Sequence, residues 1–503
     1  MTASLKRGAF LLCTKAPRVF RPRLLSRYST QVSSPTKEYE RLYELERYYD
    51  EESISKYRPG GYHPVRLHRQ LRQRYRVVVK LGWGPSSTAW LAIDDKTSKY
   101  VAVKVGTGNA DHANRDVLTQ LTQSRPDNQG PKDKLKLFPT ILDHFDIAGP
   151  NGTHPCIVTP PARCSVHAAQ DKAAWGSGVF QLDVARSFTA QLVVATAFVH
   201  SRGYVHGGIH GRNLLLHSSS FLDGVSVEQL YEAYGDPRTK HEPIVRVGTK
   251  TPPTDPGVPS YLSRSTELAK PSHEFTLGEA NLLLTDFGSA FRPSDKPRSK
   301  ALLDHQHHPP ESIFEPQSPL PFAGEIWTLG CVIFELVGHH LRSNPSWWVP
   351  DEEFIAQLVE LQGIMPPEWW ARWKERSDWF DDADRPLRNP ASITSWDRWF
   401  EEFVQSPRRE NDWGTMGADE REALLGLLKW MLAWKPGDRP DVMQVLEADW
   451  MTKWALPAYQ KGLELQKSSS ASSSSSLNRR WNTLDDDVDT LADGHRTEVI
   501  TFS

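Results

Sequence analysis

Several residues of this chain are of the types that hold phosphate groups and a divalent cation. Gly82 and Gly84 lie between two β-rich stretches, and because glycine has no Cβ, backbone amides there can come close to phosphate oxygens. Lys104 closes the β-branched run 101–103. Asp286 and Asn213 offer a carboxylate and an amide, whose oxygens suit Mg²⁺. Taken alone, a Gly-x-Gly is more often a hairpin turn, and a strand lysine more often lies on the surface.

The order of the surrounding motifs favours the phosphate interpretation. Residues 206–213, His-Gly-Gly-Ile-His-Gly-Arg-Asn, have the frame of a catalytic loop, and Asp-Phe-Gly follows at 286–288. Pro-Pro-Glu at 309–311, the stretch from Glu325 and the late Arg439 then follow in the order found in eukaryotic protein kinases. The chain therefore resembles that family, and the resemblance implies a bilobal α+β fold.

The pattern of β-branched and apolar residues along the sequence agrees with two lobes. β-branched runs suggest strands joined by tight turns from Tyr75 to Val105, whereas helical periodicity dominates from Gln181 onward. We expect a small β-rich N-lobe with the hinge in residues 75–162 and a large helical C-lobe in residues 163–466.

The kinase resemblance assigns roles to the residues of the site. It implies that ATP is bound with Mg²⁺, and that Asn213 and Asp286 hold the metal. The catalytic positions it implies are Lys104, Asn213 and Asp286. The nucleotide-binding positions are Gly82, Trp83, Gly84, Ser87, Lys104, Asp116, Pro160 and Ala162.

The hinge carries two prolines, yet its recognition atoms survive. Adenine recognition at a kinase hinge uses one carbonyl and one amide, which are matched here by the carbonyl of Pro160 and the amide of Ala162. The prolines remove only backbone donors that this recognition does not need.

A closer resemblance is to the SR-protein kinases, especially those of fungi. Tyr-Arg-Pro-Gly-Gly-Tyr-His-Pro-Val at 57–65, followed by Leu-Gly-Trp-Gly at 81–84, looks like the start of that family's domain. Residues 218–280, rich in Ser, Pro, Gly and Thr, lie where the family carries a spacer, and one short helix is expected near Val227–Tyr234. The resemblance covers about residues 38–460. It implies a Ser/Thr kinase acting on Arg/Ser-rich proteins in mRNA processing.

The catalytic loop departs from the family pattern at its most important position. The family places an aspartate, the catalytic base, at the third residue of the loop, where this chain has Gly208. Loss of a general base typically removes about 10²–10⁴ in rate. His210 replaces the lysine that steadies the transferred phosphate and is a doubtful substitute base. The residues therefore indicate an ATP-binding pseudokinase or strongly impaired kinase, with an active Ser/Thr kinase as the alternative.

Two other acidic positions are altered. Asp116 is the best match in the sequence to the helix glutamate that pairs with Lys104, and it is one methylene shorter. Glu325 stands where the family has an aspartate that braces the catalytic loop. A kinase of small molecules is a third interpretation, but Glu311 and Arg439, expected to form a buried ion pair, argue against it.

The two ends of the chain differ from the kinase-like part. Residues 1–36 contain seven basic residues and no acidic residue, a composition typical of a mitochondrial presequence. The family resemblance implies cytoplasm and nucleus instead. Residues 37–74 form a lead-in segment to the N-lobe. Residues 467–503 are Ser-rich and then acidic, and we expect them to be disordered.

Charge and composition exclude several classes of protein. With 60 basic and 62 acidic residues, the formal net charge is −2, which gives no electrostatic case for direct nucleic-acid binding. No apolar run approaches the roughly 18 residues of a membrane span. Four cysteines without a Cys-x-x-Cys pair indicate neither a zinc site nor a disulfide framework. The sequence leaves the oligomeric state open.

Overall fold

Two lobes, a small one of antiparallel strands and a large one of helices, account for most of the described chain. The computed structural model describes residues 43–45, 51–122, 132–173, 178–218, 221–295, 307–338, 351–390 and 393–468. The predicted bilobal layout is confirmed. The basic segment 1–36 and all but the start of the tail 467–503 lie outside the described residues.

The strands form three sheets. In chain order the strands are β1 (Tyr43–Leu45), β2 (Gln70–Leu71), β3 (Tyr75–Gly84), β4 (Ser87–Asp94), β5 (Lys99–Gly106), β6 (Asp143–Gly149), β7 (Gly152–Thr159), β8 (Cys164–Ser165), β9 (Leu214–Leu216), β10 (His241–Arg246), β11 (Tyr261–Ser263) and β12 (Leu282–Leu284). The small lobe is the six-stranded sheet β2-β3-β4-β5-β7-β6, and two three-stranded sheets have the orders β12-β9-β8 and β1-β10-β11.

The small-lobe sheet packs against apolar side chains on both of its faces. Val77, Val103 and Val158 lie in one buried cluster on one face. Val78 and Leu91 lie in another cluster on the opposite face. A strand that is buried on both sides reads as a continuous β-branched run, and residues 77–79 form such a run.

Helices make up most of the large lobe. In chain order the helices are α1 (Ala113–Thr122), α2 (Lys132–Leu135), α3 (Val166–Lys172), α4 (Leu182–Ser201), α5 (Val227–Tyr234), α6 (Glu311–Phe314), α7 (Phe322–Val337), α8 (Asp351–Gln362), α9 (Pro367–Arg372), α10 (Trp396–Phe400), α11 (Ser406–Glu410), α12 (Ala418–Met431) and α13 (Val442–Glu447). Two π-helical turns, Glu401–Gln405 and Met451–Ala455, join neighbouring helices, and a last helix spans 456–468.

The core of the large lobe is formed where α4 packs against α7. Phe188, Leu192 and Val199 of α4 are fully buried, as the helical periodicity predicts. Among the described residues, α4 is the one helix whose length and apolar composition would suit a membrane span. It is 72% buried within the protein, and its composition is that of a core helix.

The insert 218–280 begins and ends on the large lobe but packs on the small lobe. β9 precedes it and β12 follows it, and these two strands are antiparallel neighbours. Its helix α5 lies at the predicted residues Val227–Tyr234, capped by Ser226. Leu222 and Leu230 of the insert pack against the outer face of β3 and β4. The sequence groups this insert with the C-lobe. Phe275 and Ala280 near its end do lie in the large-lobe core, whereas its first part packs on the N-lobe sheet.

Candidate functional site

The glycine-rich stretch forms a β-hairpin at the edge of the cleft between the lobes. β3 and β4 pair through Gly84 and Ser87, which leaves Pro85 and Ser86 as a two-residue turn. A Cβ placed on Gly82 or Gly84 would find no atom within 4 Å. The space over the hairpin is therefore open to a ligand that approaches the backbone closely.

Lys104 and Asp286 form an ion pair between the two lobes. Lys104 lies on β5, opposite Ala89 of the hairpin, and its Nζ is 2.7 Å from Oδ1 of Asp286. Asp286 follows β12 and has a left-handed backbone, with φ 64°. Burial raises the pKa of Asp286, but the charge and hydrogen bond of Lys104 outweigh it, so the pKa lies below its ordinary value. The carboxylate is therefore ionised at neutral pH, as a metal ligand must be.

The catalytic loop is organised around a buried histidine. The Nε2 of His206 donates to the carbonyl of Thr285 at 3.0 Å, and its Nδ1 accepts from the amide of Gly208 at 3.2 Å. Burial lowers the pKa of His206, which is consistent with a neutral ring that donates through one nitrogen and accepts through the other. Gly207 has φ 68°, and a Cβ there would lie 2.8 Å from the carbonyl of Ser289. The loop therefore requires glycine at this position.

Gly208 and Asn213 are linked by a hydrogen bond. Nδ2 of Asn213 donates to the carbonyl of Gly208 at 2.9 Å, so Oδ1 is the atom left to ligate a cation. The carbonyl of Asn213 accepts from the amide and the hydroxyl of Thr285, which ties the loop to the residue before Asp286. His210 is half-buried, and its carbonyl accepts from the amide of Asn213.

The side chain of Glu325 holds the catalytic loop in place by hydrogen bonds. Glutamate therefore still braces the loop, although it is longer than the aspartate of the family pattern. Its Oε1 accepts from the amide of Gly207 at 2.8 Å, and its Oε2 accepts from the amide of His206 at 3.1 Å and from Nε2 of His200 at 2.8 Å. Burial raises the pKa of Glu325, but the hydrogen bond from His200 and the neighbouring charges and amides outweigh it, so the pKa is lowered. An ionised carboxylate thus satisfies two buried amides.

The hinge leaves the expected adenine contacts available. β7 pairs with β5 through Thr159 and Ala102, and Pro160 and Ala162, which follow, are half-buried. Within the described ranges, the carbonyl of Pro160 and the amide of Ala162 have no protein partner. Among the described residues, one acceptor and one donor are therefore left without a protein partner at the hinge.

These features fit a nucleotide with a divalent cation. The open hairpin suits phosphates, Lys104 adds the positive charge, and Asp286 with Oδ1 of Asn213 supplies hard oxygen ligands. The structure brings together the predicted residues of the hairpin, β5, the catalytic loop and Asp-Phe-Gly. Trp83 is 44% exposed and Ser87 is buried, so of these two only Trp83 is available to a ligand by its side chain.

Comparison with known proteins finds protein kinases among the proteins that this chain resembles. The protein kinase domain family matches residues 270–451. The serine/threonine-protein kinase SRPK of Physarum polycephalum is 24% identical over 66% of this chain and 77% of its own length. Protein kinase dsk1 of Schizosaccharomyces pombe is 23% identical over 81% of this chain and 86% of its own length. The chain is similar to protein kinases of the SRPK type. Serine/threonine-protein kinase SKY1 of Saccharomyces cerevisiae is 33% identical over a shorter stretch, 33% of this chain and 23% of its own length.

One residue predicted for this SRPK-like site lies elsewhere. Asp116 pairs with its neighbour Arg115 at 2.8 Å, and its side chain is 51% exposed. The expected ion pair between Lys104 and Asp116 is therefore not formed, because Asp116 lies on the outer side of α1. Asp116 was therefore the wrong match to the helix glutamate.

Asn114 is the α1 residue that faces the site. Its Oδ1 accepts from the amide of Phe287 at 2.9 Å. The buried residues of α1 are Val117, Leu118 and Leu121, which follow Asn114 by three, four and seven positions and so share its side of the helix. This apolar spacing was the signal that could have identified Asn114. An amide at this position gives Lys104 no acidic partner from α1.

The predicted ion pair between Glu311 and Arg439 is confirmed. Two hydrogen bonds, of 2.8 and 2.7 Å, join the guanidinium to the carboxylate, and both side chains are buried. The pair fastens the start of α6 to the stretch before α13. Its role is structural.

Proposed function

We propose that this SRPK-like chain binds ATP with Mg²⁺ and transfers the γ-phosphate poorly or not at all. The observation that carries the proposal is Gly208, whose carbonyl accepts from Asn213 in a site that also brings Lys104 and Asp286 together. Lys104 and Asp286 support nucleotide and metal binding, which does not require the missing aspartate.

The neighbouring histidine is a poor replacement for the base. Both ring nitrogens of His206 are engaged, one with Thr285 and the other with Gly208. Its burial and lowered pKa make proton uptake from a substrate hydroxyl unfavourable. His210 is the other candidate, since it is half-buried and only two residues from Gly208.

The second candidate function is an active Ser/Thr kinase for Arg/Ser-rich proteins, in mRNA processing. The observation in its favour is that Lys104, Asn213, Asp286 and the brace Glu325 are all in place. The relatives reported above carry the names of protein kinases. Under this alternative His210 would accept the proton of the substrate hydroxyl.

A combined binding and transfer experiment separates the two. Binding of ATP–Mg²⁺ to the full chain is measured by calorimetry, and transfer of radiolabelled γ-phosphate to an Arg/Ser-repeat peptide is measured beside it, for the unaltered protein, Lys104→Met and His210→Ala. We expect binding that Lys104→Met weakens, and no transfer. Transfer that His210→Ala abolishes would establish the active kinase, and absence of binding would exclude both functions.

We further propose that residues 1–36 direct the protein to mitochondria. The support is the presence of seven basic and no acidic residues, a composition that suits an import signal. A fluorescent protein fused behind residues 1–36 should enter mitochondria, and a version with the seven basic residues changed to serine should not. Diffuse or nuclear fluorescence of the unaltered fusion would favour the location that the family implies.

A further inference from the structure

We propose that Tyr62 and Lys56 of the lead-in segment are positioning residues for the glycine hairpin and thereby set nucleotide affinity. The link to affinity rests on the proposed nucleotide binding. The structural part, that these two side chains fix the hairpin, stands on the geometry described below.

The lead-in segment holds two successive carbonyls of the hairpin turn. The hydroxyl of Tyr62 donates to the carbonyl of Gly84 at 2.7 Å, and Nζ of Lys56 donates to the carbonyl of Pro85 at 3.2 Å. The next carbonyl, that of Ser86, accepts from the amide of Thr107 at the end of β5. Three consecutive carbonyls are thus held from one side.

Holding the carbonyl of Pro85 also orients an amide, that of Ser86, whereas the carbonyl of Gly84 precedes Pro85, which has no N–H. A trans peptide is planar, with its N–H directed opposite to its C=O, and the described chain contains no cis peptide bond. The carbonyl of Pro85 is directed at Lys56, so the amide of Ser86 is directed away from the lead-in segment. Amides presented in this way are the groups that a phosphate contacts in a glycine-rich loop.

The lead-in segment is itself a fixed support. The amide of Gly60 donates to the carbonyl of Asn151, and the amide of Gly108 donates to the carbonyl of Gly61, both at 2.7 Å. The side chain of Asn151, which is buried, donates to the carbonyl of Tyr62 at 2.7 Å. A Cβ on Gly61 would lie 1.8 Å from the carbonyl of Lys56, so only glycine permits this path.

Tyr62 is better suited to this task than Lys56. Its ring is 1% exposed and lies in an apolar cluster with Tyr57, Ile244 and Leu262, so little conformational freedom remains. Lys56 is less buried, and its ammonium lies 5.7 Å from the centre of the Tyr62 ring. The hairpin has open space beside Gly82 and Gly84, and these tethers add to the order that the pairing of β3 with β4 gives it.

The test compares two neighbouring tyrosines in the full chain. Tyr62→Phe removes the hydroxyl that reaches the hairpin and keeps the ring. Tyr57→Phe is the matched control, because Tyr57 is equally buried in the same cluster but donates to Glu52. The measurements are amide hydrogen exchange over residues 82–87 and the affinity for a fluorescent ATP analogue.

We expect Tyr62→Phe to speed hydrogen exchange in the hairpin and to lower the affinity for the ATP analogue about five-fold. This is the effect expected from the loss of one neutral hydrogen bond. Tyr57→Phe should change neither. An equal rise in the hydrogen-exchange rate in both variants, or no rise in either, would overturn the proposal. If Tyr62→Phe does not fold, Lys56→Met, which alters a half-buried side chain, must show the same exchange pattern. If the unaltered protein binds no nucleotide, the proposed function fails, while hydrogen exchange still decides whether the hairpin is tethered.

Discussion

Asn213 donates its side-chain hydrogen bond to the carbonyl of Gly208 at 2.9 Å, so the proposed metal ligand is hydrogen-bonded to the residue at the proposed position of the missing base. A Cβ on Gly208 would lie 3.4 Å from Nδ2 of Asn213 and 3.5 Å from Nδ1 of His206. These are ordinary contacts, and Gly208 does not have a positive φ. We therefore predict that Gly208→Asp folds and raises γ-phosphate transfer to an Arg/Ser-repeat peptide by about 10²–10⁴-fold.

The control for this gain is Gly208→Asn, which has nearly the same size but no basic oxygen. It should leave radiolabelled transfer at the level of the unaltered protein. An equal gain in both variants would mean that the side chain acts by rigidifying the loop, and the missing base would then not be the cause of low activity.

Replacing Asn114 should destabilise the protein next to the Asp-Phe-Gly motif. Asn114→Ala leaves the amide of Phe287 without its acceptor, and the Phe287 side chain is fully buried. We expect the free energy of unfolding in urea to fall by about 1–2 kcal/mol. Asp116→Asn, two residues along the same helix, alters only an exposed pair with Arg115 and should change it by less than about 0.5 kcal/mol. Equal losses of stability in the two variants would show that Asn114 is not the α1 residue that contacts Phe287.

Glu325 predicts a pH-dependent stability. Its folded pKa is lowered, so its contribution is complete above the ordinary glutamate pKa of about 4.3 and is lost as the pH falls through the folded pKa. Glu325→Gln should therefore lower the free energy of unfolding by about 3 kcal/mol at pH 7. The difference from the unaltered protein should shrink as urea titrations are repeated from pH 5 downward, and a difference that grows on acidification would contradict this assignment.

The buried ion pair between Glu311 and Arg439 should contribute strongly to the stability of the fold. Arg439→Met leaves the buried carboxylate of Glu311 uncompensated, which should cost about 3–5 kcal/mol, a large share of a typical domain stability of about 5–15 kcal/mol. Lys453→Met breaks the pair with Asp449, whose two side chains are 58% and 71% exposed, and should cost at most about 0.5 kcal/mol. Thermal melting at two salt concentrations measures both. A loss for Arg439→Met that disappeared in high salt would indicate a solvated pair.

Motifs with fixed spacing allowed most of the site to be predicted. Lys104 and Asp286 lie far apart in the sequence, yet their motif context placed them together, and the structure joins them directly. Helix α5 was also predictable, because Ser226 and Gln229 form a capping box at its start. Asp116 was misassigned because an acidic residue was sought, whereas the buried side of α1 points to Asn114.

The packing of the lead-in segment and the insert could not be predicted in this way. Lys80 is fully buried on β3, with Glu51 at 2.8 Å and with Glu52. Charged residues are rarely buried unless they are paired, and nothing in the local sequence shows that these partners meet. The amide of Ser265 also donates to Glu51, across a separation at which neither periodicity nor spacing carries information.

The insert also determines when the small lobe can finish folding during synthesis. The carbonyl of Ser263 that receives Lys80 is 183 residues further along the chain, which at about 5–20 residues per second means a delay of roughly 10–40 s on the ribosome. Until the insert emerges, the outer face of β3 and β4, with Val78, Val79 and Leu91, lacks the cover of Leu222 and Leu230. The lobe that is made first is therefore completed late. A nascent chain at this stage leaves this apolar strand face without the insert that covers it.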